Sequence, residues 1–126
     1  DPLRGAGRSP VEGGGYGAAR DYGAHYASDY PGKVGTPVFS GYGSGVAKVS
    51  SSRNGGNIVS IDHGGGVRTR YMHLDKVNVR DGQQVSAEDI IGLLGRTGRA
   101  TGPNLHYQVL VSGRPVNPAS LINGGR

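Results

Sequence analysis

The 126-residue sequence contains no cysteine. Disulfides, thiolate metal sites and cysteine nucleophiles are therefore excluded, and the redox compartment is left open. No apolar run approaches the ~18 residues that a membrane-spanning helix needs. The N-terminal residues do not read as a secretory leader, so a mature or trimmed end is expected there. Hydrophobic residues make up only 34%, little for a large core but enough for a thin sandwich of sheets. There is no internal repeat, no nucleic-acid-binding motif and no Gly-X-Y period of the collagen kind.

What is abundant is glycine, 25 of 126 residues, against a usual share of ~7%. The glycines fall between short runs of Val and Ile, the texture of many strands joined by tight turns. Helix is disfavoured, since each interior glycine costs roughly 1 kcal/mol relative to alanine. The net charge is +5 and the isoelectric point about 9.8. A basic surface favours anionic partners; nucleic acid and an anionic cell wall are both candidates, and no recognisable motif supports the first. Arg68 and Arg70 are expected on one strand face, and Arg96 and Arg99 in a Gly-rich loop, all as ordinary solvated charges.

The organisation follows from these textures. Residues 1–21 read as an irregular Gly-, Arg- and Tyr-rich arm, 22–122 as one domain and 123–126 as a tail. Strands are expected at 36–40, 46–49, 57–61, 67–74, 90–94 and 105–111. Arg53-Asn54-Gly55-Gly56 and Gly64-Gly65-Gly66 are the turns between them, as in a β-meander. Val77–Val79 and Asp81-Gly82 continue the pattern. Gly95–Pro103 is a polar loop. Gly113-Arg114-Pro115 should turn into a short tail near 118–122, with one helical turn.

Four histidines supply the candidate chemistry. His25 and Asp29 are four residues apart, and zinc takes both imidazole nitrogen and carboxylate oxygen. On an extended strand they would lie roughly 13 Å apart, so a shared metal requires a bend between them. Asn104, His106 and Gln108 alternate on one strand face, with Leu105, Tyr107 and Val109 on the other; the polar face is either a groove floor or plainly solvated. Val67, Thr69, Tyr71 and His73 should share a face, which presents His73 either at a groove or as a strand-end residue. His63, just before the triple glycine, reads as structural.

The ordered motifs carry more than any one of them. They are His25–Asp29, Gly35-Thr36-Pro37-Val38, Ile61–Gly66, Tyr71–Leu74, Gly82–Val85, Gly95–His106 and Arg114–Pro118. In this order they resemble the M23 peptidases, the lysostaphin and LytM family, over about residues 22–122. The resemblance implies an all-β fold of antiparallel sheets forming a groove walled by irregular Gly-rich loops, with little helix. It implies a zinc endopeptidase that hydrolyses peptide bonds in bacterial peptidoglycan stems or cross-links. By position, His25, Asp29 and His106 match the family's zinc ligands and His73 matches a catalytic histidine. Three protein ligands leave a fourth position for water, whose pKa the metal lowers.

One position departs from the family pattern. Where the family usually has His-x-His, this sequence has Asn104-Leu105-His106. Asn104 has no proton-accepting group near neutral pH, yet it can hydrogen-bond a water, a carbonyl or an oxyanion. The rival reading is therefore a weak or silent domain that binds or regulates the wall. A lipoyl- or biotinyl-type carrier, suggested by Val79–Gly92, needs a lysine on an exposed hairpin, and Lys33, Lys48 and Lys76 lack that setting. The expected setting is extracytoplasmic (secreted, periplasmic or virion-associated), with peptidoglycan peptides as partners, no nucleic acid, no membrane span and a monomeric state.

Overall fold

The computed structural model describes Pro2 and residues 27–117. His25, the rest of the expected arm, the expected helical turn at 118–122 and the tail lie outside these residues. Every described element is a strand: β1 (Ser28–Pro31), β2 (Pro37–Phe39), β3 (Gly45–Ser52), β4 (Gly56–Gly64), β5 (Val67–Leu74), β6 (Lys76–Val77), β7 (Gln84–Val85), β8 (Ile90–Leu93), β9 (Asn104–Val111) and β10 (Arg114–Val116). The larger sheet runs β1-β9-β5-β4-β3-β7, with β10 also on β9, and the smaller runs β2-β8-β6. All pairings are antiparallel. The all-β expectation is met.

Alternation decides which residues enter the core. Val59, Tyr71 and Tyr107 lie opposite one another across β4, β5 and β9, as do Ile61, Thr69 and Val109 in the next row. These side chains are buried and pack with Val38, Ile91 and Leu94 from the region of the smaller sheet. Pro2 joins from the N-terminus: it is buried, and its carbonyl accepts the Phe39 N–H at 2.7 Å.

The opposite face carries the row Asp29, His106 and Met72. Here the structure corrects one expectation. His73 does not share the face of Thr69 and Tyr71, both wholly buried. Between the pairs Val59↔Tyr71 and Asn57↔Leu74, β4 has one residue and β5 has two, Met72 and His73. This is a β-bulge, with two residues opposing one. His73 takes a positive φ of 67°, an uncommon conformation for a non-glycine residue. The bulge breaks the period of two, so Tyr71 and Leu74, three apart, both reach the core. His73 is thereby turned away from it.

A second correction concerns the C-terminal side. Arg114–Val116 is not the start of an irregular tail but an edge strand on β9, reached by a turn with positive φ at Ser112 and Gly113. Pro115 is tolerated because an edge strand has one unpaired side. Gln108, expected beside His106 on an open polar face, is instead buried. Arg68 lies near Asp62 at 3.7 Å with both side chains half exposed, a contact of little energetic weight.

His63 is structural, as its position before the glycine turn suggested. Its Nδ1–H donates to the Ser44 carbonyl at 2.7 Å, and its Nε2 accepts from the Thr69 hydroxyl at 2.8 Å. Thr69 in turn accepts from the Tyr71 hydroxyl at 2.9 Å, which accepts the Gly41 N–H at 2.8 Å. Ser44 offers only an acceptor, so Nδ1 carries a proton, and in the neutral ring Nε2 is the acceptor. Burial lowers the His63 pKa, against the opposing pull of the Ser44 carbonyl and Asp62. A histidine with a depressed folded-state pKa contributes stability above its unfolded value of about 6.5 and loses it as pH falls through the folded value. The thermal midpoint should therefore fall on acidification from about pH 7.5 to about pH 5. In His63→Gln the fall should be shallower, as read by circular dichroism; an identical slope in both proteins contradicts the assignment.

Candidate active site

Asp29 and His106 meet because β1 and β9 pair in a register that sets them directly opposite. The His106 Nδ1 to Asp29 Oδ1 distance is 2.9 Å. Asp29 is almost wholly buried, whereas about a quarter of the His106 side chain is exposed. Across from them the His73 ring stands edge-on to His106, centroids 5.9 Å apart.

His73 is held from three sides. Its backbone N–H donates to the Gly55 carbonyl at 2.7 Å, and its carbonyl accepts the Thr97 N–H at 3.3 Å. Its Nδ1–H donates to the Thr97 carbonyl at 2.7 Å. The last contact fixes the tautomer and leaves Nε2 as the proton-accepting nitrogen. Burial lowers the His73 pKa and His106 adds to this, while the Thr97 carbonyl and Asp29 act in the opposite sense.

Thr97 is the hub of this support. Its hydroxyl donates to the Leu74 carbonyl at 2.8 Å and accepts the Asn57 N–H at 3.1 Å. The Asn57 side chain donates to the same Leu74 carbonyl at 2.9 Å, and the Arg99 N–H donates to the Asn54 carbonyl at 2.9 Å. The 53–56 turn and the 97–99 segment are thus zipped together. Glycine is required on both sides of the zip. Gly56 (φ 69°) and Gly98 (φ 74°) have positive φ, and a side chain on either would collide with the backbone of the facing segment.

A cleft of about 680 Å³ results, lined by Asp29, His73, Asn104 and His106 and by Asn54, Arg99 and Thr101 from the loops. Four of the five site residues expected from sequence therefore come together. The fifth, His25, lies outside the described residues. Asn104 is anchored by its N–H to the Gly95 carbonyl at 3.0 Å, yet its Oδ1 is buried with no hydrogen-bond partner. An unmade bond of this kind costs about 1–3 kcal/mol. Thr97 and Asn54 were not singled out by sequence reasoning. Asn54 sits in a stretch read there only as a turn and Thr97 inside the Gly95–His106 motif without a role of its own, and the separation between them leaves no local signal.

The donor chemistry fits zinc. Two atoms on one tetrahedral zinc, each at ~2.0–2.1 Å, lie about 3.3 Å apart, and His106 Nδ1 and Asp29 Oδ1 already converge at 2.9 Å. Among the described residues no group of three or more His, Cys, Asp or Glu side chains is placed to hold a metal ion.

The fold matches the catalytic domain of lysostaphin from Staphylococcus simulans with a TM-score of 0.79 and 31% identity, over 98% of each chain. A zinc-containing peptidase from Vibrio cholerae matches with a TM-score of 0.70 and 36% identity, over 86% of this chain and 34% of that one. Fold and cleft together thus define an all-β domain of the lysostaphin type. Residues 23–118 match the model of peptidase family M23, and the chain belongs to this family. Peptidoglycan DD-endopeptidase ShyA of Vibrio cholerae is 50% identical over 96 residues, 74% of this chain and 22% of ShyA. DD-carboxypeptidase/endopeptidase Mpg of Neisseria meningitidis is 42% identical over 98 residues, 77% of this chain and 22% of Mpg. The chain thus spans about a fifth of the length of these curated relatives.

The zip makes a stability prediction. Gly56→Ala introduces both positive-φ strain and a collision with Thr97, and should cost upward of about 2 kcal/mol. Gly64→Ala, at φ 83° with open space around it, should cost only about 1 kcal/mol. Urea denaturation of the two variants side by side measures the difference; equal losses contradict the steric argument.

Proposed function

We propose that the chain is a zinc-dependent endopeptidase acting on peptide bonds in peptidoglycan stems or cross-links, with residues 22–122 as its catalytic domain. The observation that carries this reading is the Asp29–His106 donor pair facing the proton-accepting Nε2 of His73 across one cleft. Family membership and the DD-endopeptidase relatives support the substrate class. His25, Asp29 and His106 would hold the metal. When bound, zinc supplies Lewis-acid polarisation of the scissile carbonyl and a lowered water pKa.

The chain's own residues divide the remaining work. Thr97 holds His73 with Nε2 free to hydrogen-bond a water or the departing amine, and to accept or return a proton there. The Asp29 carboxylate would share the metal with His106 and adds negative charge that favours a cation. Asn104 donates or accepts hydrogen bonds without moving a proton. The low solvent exposure of Asp29 strengthens its electrostatic effect. Action outside the cytoplasm, on an anionic wall, is consistent with the +5 charge. Among the described residues no helix is long and apolar enough to cross a membrane.

Elemental analysis should find one zinc per chain in the purified protein and much less in Asp29→Asn. Incubation with several purified peptidoglycans should release new amino groups, and His73→Ala should lower that rate by ~10²–10⁴-fold while retaining zinc. Bound zinc with no amine release from any peptidoglycan overturns the reading.

A second reading follows from Asn104, which stands where the family usually has histidine and whose Oδ1 has no partner. On that reading the domain is silent and serves to bind or regulate the wall. Asn104→His decides between the two. Activity in both proteins, higher in the variant, supports a working enzyme slowed at one position. Zinc-dependent cleavage by the variant alone identifies the present chain as silent.

A further inference from the structure

We infer that Arg99 is an anchor for a free carboxylate of the bound peptide and sets which bond is presented to the site. The inference rests on the endopeptidase reading and deepens it by naming the substrate class, a peptide bearing a carboxylate near the scissile bond.

The argument begins with charge. Arg99 lines the cleft that holds His73, Asn104 and His106. Its guanidinium forms no ion pair among the described residues, where the two contacts of that kind are Arg68–Asp62 and His106–Asp29. Asp29, the carboxylate of the cleft, is engaged by His106 at 2.9 Å. The cleft therefore presents an unneutralised cation. Guanidinium is weakly hydrated, permanently charged and shaped for bidentate contact with a carboxylate.

Its backbone is also fixed, which separates it from an ordinary surface arginine. The Arg99 N–H is bonded to the Asn54 carbonyl at 2.9 Å. The preceding Gly98, at φ 74°, is wedged against the backbone of Asn54, Gly55 and Gly56. The same segment holds His73 through the Thr97 carbonyl at 2.7 Å. The anion anchor and the Thr97 carbonyl that holds the candidate catalytic imidazole therefore lie on one rigid segment, two residues apart in sequence. A carboxylate gripped by Arg99 is held at a set offset from His73 Nε2, so charge recognition becomes positional selection of the bond. The solvent exposure of Arg99 leaves it open to a ligand and keeps the expected gain modest.

The test uses cross-linked muropeptide dimers in which each free carboxylate in turn is converted to the carboxamide. For each pair kcat/KM is measured by amine release, with wild type and with Arg99→Gln. One carboxylate should matter: wild type should prefer its free form by about three- to fivefold, and in Arg99→Gln that ratio should collapse to about one. Using a ratio within each protein cancels any general loss of folding or activity. A wild-type ratio near one for every carboxylate, or an unchanged ratio in Arg99→Gln, overturns the inference. The same peptides are titrated by calorimetry into His73→Ala with and without Arg99→Gln, so that affinity is read independently of turnover. Absence of cleavage by wild type with a carboxylate preference in Kd that depends on Arg99 upholds the anchor and overturns the endopeptidase reading. Absence of both overturns the anchor as well.

Discussion

In the middle of the larger sheet, two residues of β5 oppose one residue of β4, and most of the site's geometry depends on that extra residue. A regular strand would send His73 to the face occupied by Thr69 and Tyr71, into the core. The bulge with its positive φ at His73 lets Leu74 take the core position and leaves the imidazole beside His106. The strain of a left-handed non-glycine residue is about 1 kcal/mol or more. It is offset by the hydrogen bonds that His73 makes through its N–H, its carbonyl and its ring. Bulges are over-represented next to active sites because they re-aim a side chain in this way.

The bulge alone would not fix the imidazole. The 53–56 turn and the 97–99 segment are distant in sequence but joined by Thr97, Asn57 and the carbonyl of Leu74. Gly56 and Gly98 permit backbone-to-backbone approach where a Cβ has no room. The result is a second shell of hydrogen bonds around His73 that selects its tautomer and orientation. On the other wall, ladder register alone makes the Asp29–His106 pair. One half of the cleft is thus positioned by regular sheet and the other by interlocked loops.

This division explains what could be read from sequence. Most of the longer strands, the two hairpin turns and the polar and apolar faces of β9 follow from alternation and glycine placement, although β3 and β4 each run three residues beyond their expected ends and β1 is not foreseen. Asn104 and His106 could be assigned to one face for the same reason. The position of His73 could not, because alternation extrapolates through a bulge and places it with Tyr71. The burial of Gln108 was equally hidden, since a strand pattern says which side a residue faces but not what covers it. The pairing of Arg114–Val116 was missed because Pro115 reads as a breaker until the edge of β9 is known to be open beside it. The support from Thr97 is a long-range contact without local signature. The motif order identified the family where composition and spacing alone left several outcomes.

The two strands on the outer edge of β9 lie in tandem. β10 brings Val116 opposite Val109, and β1 places Ser28 opposite Tyr107. These positions on β9 are two residues apart, about 7 Å along a strand. The polypeptide therefore enters and leaves the described sheet at almost one point, and that point adjoins Asp29. A sheet built this way can be spliced into a larger architecture with little disturbance to its own ladders.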